Sequence, residues 1–179
     1  MMSNIAQAKT FTAVFAGGCF WCMESEFQEQ PGVLAVVSGY TGGDADTANY
    51  AMVSSKKTRH VEAVEITYDP AKISYDQLLE VYWRNIDPTD AEGQFFDRGA
   101  QYATIIFYGS DEEKALALAS KQKVQAMLKD PVVTRVEPRT PFYPAEAEHQ
   151  DFYQSNAAHY NRYVEGSGRK EKLKQLWKK

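Results

Sequence analysis

Long apolar runs are missing from this 179-residue sequence, and cysteines are scarce, with only two. No stretch approaches the ~18–20 apolar residues that a membrane-spanning helix needs, so no membrane partner is expected. The two cysteines, Cys19 and Cys22, lie three positions apart and cannot staple a chain of this length as a secreted disulfide framework would. Together with His60, His149 and His159 they fall into no paired ligand spacing, and no metal is expected. A leader is not expected either. Ala16-Gly17-Gly18-Cys19 faintly resembles a lipoprotein cleavage site, but only Lys9 could form a basic n-region and Phe11 to Ala16 is too short an h-region. Internal repeats and low-complexity blocks are absent.

What is there is ordinary for a globular chain: 44% hydrophobic, 25% charged, net charge −4. The length suits one domain spanning residues 1–179, with 1–10 and about 166–179 peripheral. From Gly166 onward Arg169, Lys170, Lys172, Lys174, Lys178 and Lys179 face Glu171 alone, so the rest of the chain carries the acidic excess. That asymmetry argues against general nucleic-acid binding and reads as a solvated or frayed helix end. A cytoplasmic monomer is the expectation.

Phe11 to Ala16 reads as a buried strand ending in the Gly17-Gly18 turn. Cys19 to Gln30 follows as a helix, with Phe20, Met23 and Phe27 on one stripe, and Pro31-Gly32 stops it. Val33 to Ser38 and Val61 to Tyr68 read as strands, the second placing Val64, Ile66 and Tyr68 on one face. Asp44 to Thr58 and Asp90 to Gly99 read as loops. Ser74 with Gln77, and Ser110 with Glu113, mark the starts of two further helices. Tyr102 to Tyr108 and Val132 to Val136 complete the strands, and from Pro141 the chain turns aromatic-rich, with loops and short helices expected. The order β-α-β-β-α-β-α-β predicts an α+β fold. Its form is a two-layer ferredoxin-like sandwich with a mixed sheet, helices on one face and a long loop-rich C-terminal segment.

Cys19 stands after a strand and a Gly-Gly turn, at a helix start, where free N–H groups and the helix dipole favour a thiolate. Cys22 adds a second thiol one turn on. Gly18-Cys19-Phe20-Trp21 with Glu24 is similar to the signature of the A-type peptide methionine sulfoxide reductases. Further blocks resemble that family in its order: Ser38-Gly39-Tyr40-Thr41-Gly42-Gly43, His60-Val61-Glu62, Tyr68-Asp69-Pro70, Asp87-Pro88-Thr89, and Asp97-Arg98-Gly99-Ala100-Gln101-Tyr102. The run Phe142-Tyr143-Pro144-Ala145-Glu146 leading to His149-Gln150 resembles its C-terminal segment.

The resemblance implies reduction of methionine S-sulfoxide, free or within proteins, in repair of oxidative stress. It implies Cys19 as the nucleophile that becomes a sulfenic acid and Glu62 as the acid that protonates the leaving oxygen. Tyr50 and Tyr102 match the phenols that hold that oxygen, Asp97 a supporting polar residue, and Phe20 and Trp21 the wall that accepts the S-methyl group. Ser54-Ser55-Lys56 and Arg59 depart from the family pattern around Tyr50, whose match rests on its spacing of twelve residues before Glu62. With no cysteine after Cys22, recycling must use Cys22 as resolving thiol or an external thiol, thioredoxin or dithiothreitol, and no bound cofactor is implied. Two other readings compete. One is a general C-x-x-C thiol–disulfide oxidoreductase; the other is a catalytically idle domain that binds Met peptides.

Overall fold

The computed structural model describes residues 9–177. The first strand β1 (Phe11–Gly17) leads into α1 (Phe20–Gln28), β2 (Val33–Thr41), the short α2 (Tyr50–Ser54) and β3 (Val61–Tyr68). Helix α3 (Tyr75–Arg84) follows, then a small hairpin of β4 (Gly93–Gln94) and β5 (Asp97–Arg98), then β6 (Thr104–Tyr108). Helix α4 (Asp111–Met127), β7 (Arg135–Pro138), β8 (Phe142–Pro144), and helices α5 (Phe152–Ser155), α6 (Ala157–Gly166) and α7 (Arg169–Leu176) complete the order.

Six strands form one sheet in the order β7-β6-β1-β3-β2-β8. Its four central members pair antiparallel, the arrangement of a ferredoxin-like sandwich. The outer strand β7 runs parallel to β6, so the sheet is mixed as expected. Period-2 alternation divides the side chains between the faces. Phe15, Val64, Ile66 and Ile106 join Met23, Phe27, Leu78 and Tyr82 of α1 and α3 in the main core. Val14, Ala16, Val61, Ala63, Ile105 and Phe107 form a second cluster on the other face.

Local signals explain where the elements begin. Ser74 and Gln77 form a full capping box, and the Ser110 hydroxyl accepts from the Glu113 N–H. The expected strand from Val132 starts later, at Arg135. The Val132 N–H donates to the Gln125 side chain and the Val133 N–H to the Pro88 carbonyl, so these groups are already taken. The expected strand from Tyr102 starts at Thr104, since Ala100–Tyr102 closes as a single 3-10 turn. The expected loops at 44–58 and 90–99 contain α2 and the β4–β5 hairpin.

The described part of the basic tail is mostly exposed but is anchored to the fold at a few residues. Arg169 and Ser167 are buried. The Arg169 guanidinium donates to the Asn85 carbonyl, and the Trp177 indole N–H donates to the Ile86 carbonyl at 3.3 Å. Those carbonyls follow the end of α3, where the last turn of a helix leaves acceptors without partners. Lys172 adds an ion pair with Asp87 at 3.3 Å. Arg169 and Lys172 thus tie the tail to the end of α3 and the loop behind it. Residues 1–8 and 178–179 of the expected periphery lie outside the described residues.

Candidate active site

Cys19 is placed by the end of β1. The Tyr82 hydroxyl donates to the Ala16 carbonyl at 2.7 Å, and Gly18 then turns the chain at φ +87°. A Cβ at Gly18 would meet Gln94 at 2.7 Å, so the backbone approaches as only glycine permits. Gln94 in turn ties down the Asp87–Asp97 loop by bonds to the Asp87 N–H and carbonyl at 2.8 and 2.7 Å. One turn therefore sets both Cys19 and the hairpin that carries Asp97.

Cys19 is the N-cap of α1, with φ −59° and ψ 122°, and its carbonyl accepts from the Cys22 and Met23 N–H groups. Cys22 is then the third helical residue, the position an N-cap side chain faces. Both thiols are buried, at 6% and 1% exposure, and pack against Val164, with Trp21, Tyr160 and Tyr163 around them. The helix start does not lower the Cys19 pKa as its sequence position suggests. Burial pushes this thiol well up, helped by its hydrogen bond to Cys22 and by the nearby Glu62 and Asp97 carboxyls. Cys22 moves the other way, to about 7, chiefly through the hydrogen bond from Cys19 and with help from Arg169 and Tyr160. Of the two thiols, Cys22 is therefore the easier to ionise.

Glu62 shares the strand face of Val64, Ile66 and Tyr68 and points at α1. Its Oε1 accepts the Phe20 N–H at 3.1 Å, one of the free donors of the helix start. Burial outweighs that bond and lifts its pKa to about 8, with the Asp97 charge adding to the rise. Burial also lifts Asp97 to about 6, against the pull of Arg169. Tyr163 from α6 donates to Asp97 Oδ2. Tyr102 is pushed up by burial and then by Glu62, Asp97, Cys19 and Tyr50. Tyr50, 39% exposed, feels burial first and then Glu62, Cys19 and Asp97 among its neighbours. All six expected polar groups are brought within reach of one another's fields.

Phe20 is buried against Tyr40, with ring centroids 5.7 Å apart. Trp21 stacks on Phe152 at 3.8 Å, and its indole N–H donates to His149 Nδ1 at 3.3 Å. His149 also packs on the Tyr50 ring at 4.6 Å. Glu146 joins the same wall, accepting from the Tyr40 hydroxyl at 3.1 Å and the Tyr50 N–H at 3.2 Å. Glu24 is a second buried carboxyl, raised to about 7 by burial. It accepts from the Ser38 hydroxyl and the Asp151 N–H and so holds the 145–152 segment against α1. Tyr40, Glu24, Glu146, His149, Phe152 and Tyr163 were given no role from the sequence. The first four lie in the matching blocks, which was the available signal.

A metal is poorly served. Glu146, Glu148 and His149 offer ligand atoms within 4.8 Å of one another. The indole N–H, a donor only, makes His149 Nδ1 the acceptor and puts the ring proton on Nε2, leaving no lone pair there for a cation. Protonated acid, buried thiol pair, phenols and aromatic wall instead suit attack by sulfur on a group whose oxygen must leave protonated.

Residues 11–179 match the family model described as peptide methionine sulfoxide reductase. Peptide methionine sulfoxide reductase MsrA of Bacillus subtilis (strain 168) is 53% identical over 167 residues, covering 92% of this chain and 94% of the relative. The crystal structure of reduced Mxr1 from Saccharomyces cerevisiae superposes with TM-score 0.80 at 27% identity, covering 84% of this chain and 88% of the yeast one. Mxr1 in complex with Trx2 shares the fold at TM-score 0.57 and 21% identity, over 85% and 92% of the two chains.

Proposed function

Since the chain belongs to the peptide methionine sulfoxide reductase family, we propose that it reduces methionine S-sulfoxide, free or in proteins, through Cys19 and Glu62. The observation that carries the reading is Glu62, a buried carboxyl bonded to the helix start beside Cys19 and held protonated up to about pH 8. A carboxylic acid in that position can give its proton to an oxygen that would otherwise be a poor leaving group.

On substrate binding, Cys19 passes its proton across the thiol–thiol hydrogen bond to Cys22 and attacks the sulfoxide sulfur. Glu62 protonates the oxygen, and Tyr50 and Tyr102 hold it by their hydroxyl groups. Oxygen ends on Cys19 as a sulfenic acid, and the substrate sulfur takes up the two electrons that Cys19 loses. Phe20 and Trp21, backed by Phe152 and His149, wall the methyl group. Asp97 bears on the site through its field and its bond to Tyr163.

Cys22 then gives up its proton and attacks the Cys19 sulfenic acid, forming the disulfide and releasing water. An external dithiol of the thioredoxin kind restores both thiols, so no bound cofactor is required; the yeast relative's complex with Trx2 supports this partner. The test is incubation with the two separated methionine sulfoxide epimers and dithiothreitol, followed by methionine quantitation. The S epimer should be reduced and the R epimer left. Comparable rates on both would refute the chiral placement of methyl, oxygen and thiolate.

A further inference from the structure

Glu24 lies three residues after Trp21 on α1, so the two side chains share a face of the helix. Its side chain is fully buried, at 0% exposure. A buried carboxyl is costly unless donors meet it. Both oxygens are met: Oε2 accepts from the Ser38 hydroxyl at 2.8 Å and Oε1 from the Asp151 N–H at 2.5 Å. The chemistry proposed above makes no use of this group.

Asp151 stands between the two residues that back Trp21. His149 accepts the indole N–H at 3.3 Å, and Phe152 stacks on the indole ring at 3.8 Å with 9° between the planes. Helix α1 and the 149–152 segment are thus joined twice, by the ring contacts at Trp21 and by the hydrogen bond at Glu24. Asp151 takes its place at φ +53°, a left-handed conformation that costs a non-glycine residue energy and persists where the surroundings fix it. Gln150 fixes the segment from the sheet side. Its Oε1 accepts the Ser38 N–H at 2.9 Å, and its Nε2 donates to the Ser38 and Ala145 carbonyls at 2.8 and 3.1 Å. Ser38 therefore holds the segment through its backbone and Glu24 through its hydroxyl.

We propose that Glu24 is a positioning residue that sets substrate specificity: by holding Asp151 against α1 it fixes His149 and Phe152 behind Trp21, and so limits the S-alkyl group that the pocket admits. The proposal rests on the reading that Phe20 and Trp21 wall the methyl group. With Phe152 stacked on one face of the indole and His149 bonded to its N–H, Trp21 can give way only if that segment moves with it. A wall packed at interior density around a methyl group leaves no room for one more carbon, whereas a loosened wall does.

The test is a competition between the S-sulfoxides of L-methionine and L-ethionine at equal concentration with dithiothreitol, with methionine and ethionine quantified at early times. The product ratio equals the ratio of the two kcat/KM values. Both substrates meet the same enzyme, so the ratio is independent of how much of it is folded, and a merely structural role would leave it unmoved. One methylene in a fitted apolar pocket is worth about 10–200-fold, and wild type should favour methionine to that degree. Glu24→Ala deprives the Asp151 N–H and the Ser38 hydroxyl of their acceptor and should lower the ratio by about 3–10-fold, a large part of that discrimination. Glu24→Gln keeps an acceptor for the Asp151 N–H and should stay within about 2-fold of wild type.

If Glu24→Ala does not fold, Ser38→Ala decides. It removes one donor from the carboxyl, leaves the Ser38 backbone bonds to Gln150 in place, and should shift the ratio in the same direction. An unmoved ratio in folded Glu24→Ala, or in Ser38→Ala where the first does not fold, overturns the proposal. Trp21→Ala tests the wall itself. A wild-type ratio near one, or a ratio unchanged by Trp21→Ala, overturns the placement of the methyl group against Trp21 and this proposal with it. A ratio lowered by Trp21→Ala and unmoved by Glu24→Ala overturns the proposal alone.

Discussion

Glu62→Gln should weaken catalysis and strengthen the fold at once, and the two effects have one cause. In wild type, burial lifts the Glu62 carboxyl from its ordinary 4.5 to about 8. A folded pKa raised above the unfolded one means that the folded protein holds a proton the unfolded chain releases. The associated stability is complete below about pH 4.5 and is lost as pH rises through about 8. Each pH unit in that window removes about 1.4 kcal/mol, so the full window removes roughly 4–5 kcal/mol. Glutamine keeps an acceptor for the Phe20 N–H, cannot ionise, and avoids that loss. Its Tm should exceed that of wild type by about 8–20 °C at pH 8, at roughly 2–4 °C per kcal/mol for a chain of this size, and by little near pH 4.5. The amide cannot deliver the proton, so the single-turnover rate of methionine formation should fall by ~10²–10⁴-fold. Wild type should lose rate above about pH 8 as Glu62 ionises, and the variant should lack that alkaline limb. Thermal melts from pH 4.5 to 8.5 beside rapid-quench assays measure both. A Tm gap that stays constant across the window would refute the buried, protonated carboxyl, and a near wild-type rate would refute its role as acid.

Tyr50→Phe and Tyr102→Phe should each slow the first step by about 2–12-fold, the worth of one hydrogen bond of 0.5–1.5 kcal/mol. The double variant should lose more than the product of the two, because the oxygen then has no phenol; single-turnover rates check this, and an unchanged double variant removes both from the site. In wild type given substrate and no reductant, two free thiols should disappear for each methionine formed. Cys22→Ser should stop as a sulfenic acid that dimedone traps, and mass spectrometry finding Cys22 free after one wild-type turnover would exclude the internal disulfide.

Much of the frame was legible because its signals are local. The β3 span Val61–Tyr68, the Ser74–Gln77 capping box and the glycine turn before Cys19 need only neighbouring residues to take effect. The alternation that puts Val64, Ile66 and Tyr68 on the core face also carries Glu62 to that face, so even the burial of this carboxyl follows from its register. The ordered blocks pointed to the same residues for the site. Other features depend on segments far apart in the chain. Tyr163 reaches Asp97 across 66 positions and Arg169 reaches Asn85 across 84, so a tail that reads as a solvated basic end also sends one arginine into the interior. The protonation of Cys19 and Cys22 was decided in the same way. A helix start by itself favours a thiolate on Cys19, but burial and two neighbouring carboxyls reverse that, while a hydrogen bond and a distant arginine pull Cys22 down instead. Sequence spacing determines which groups stand on one turn or one strand face. Which of them holds a proton depends on desolvation and on charges brought in from elsewhere, and only the packed tertiary structure supplies those.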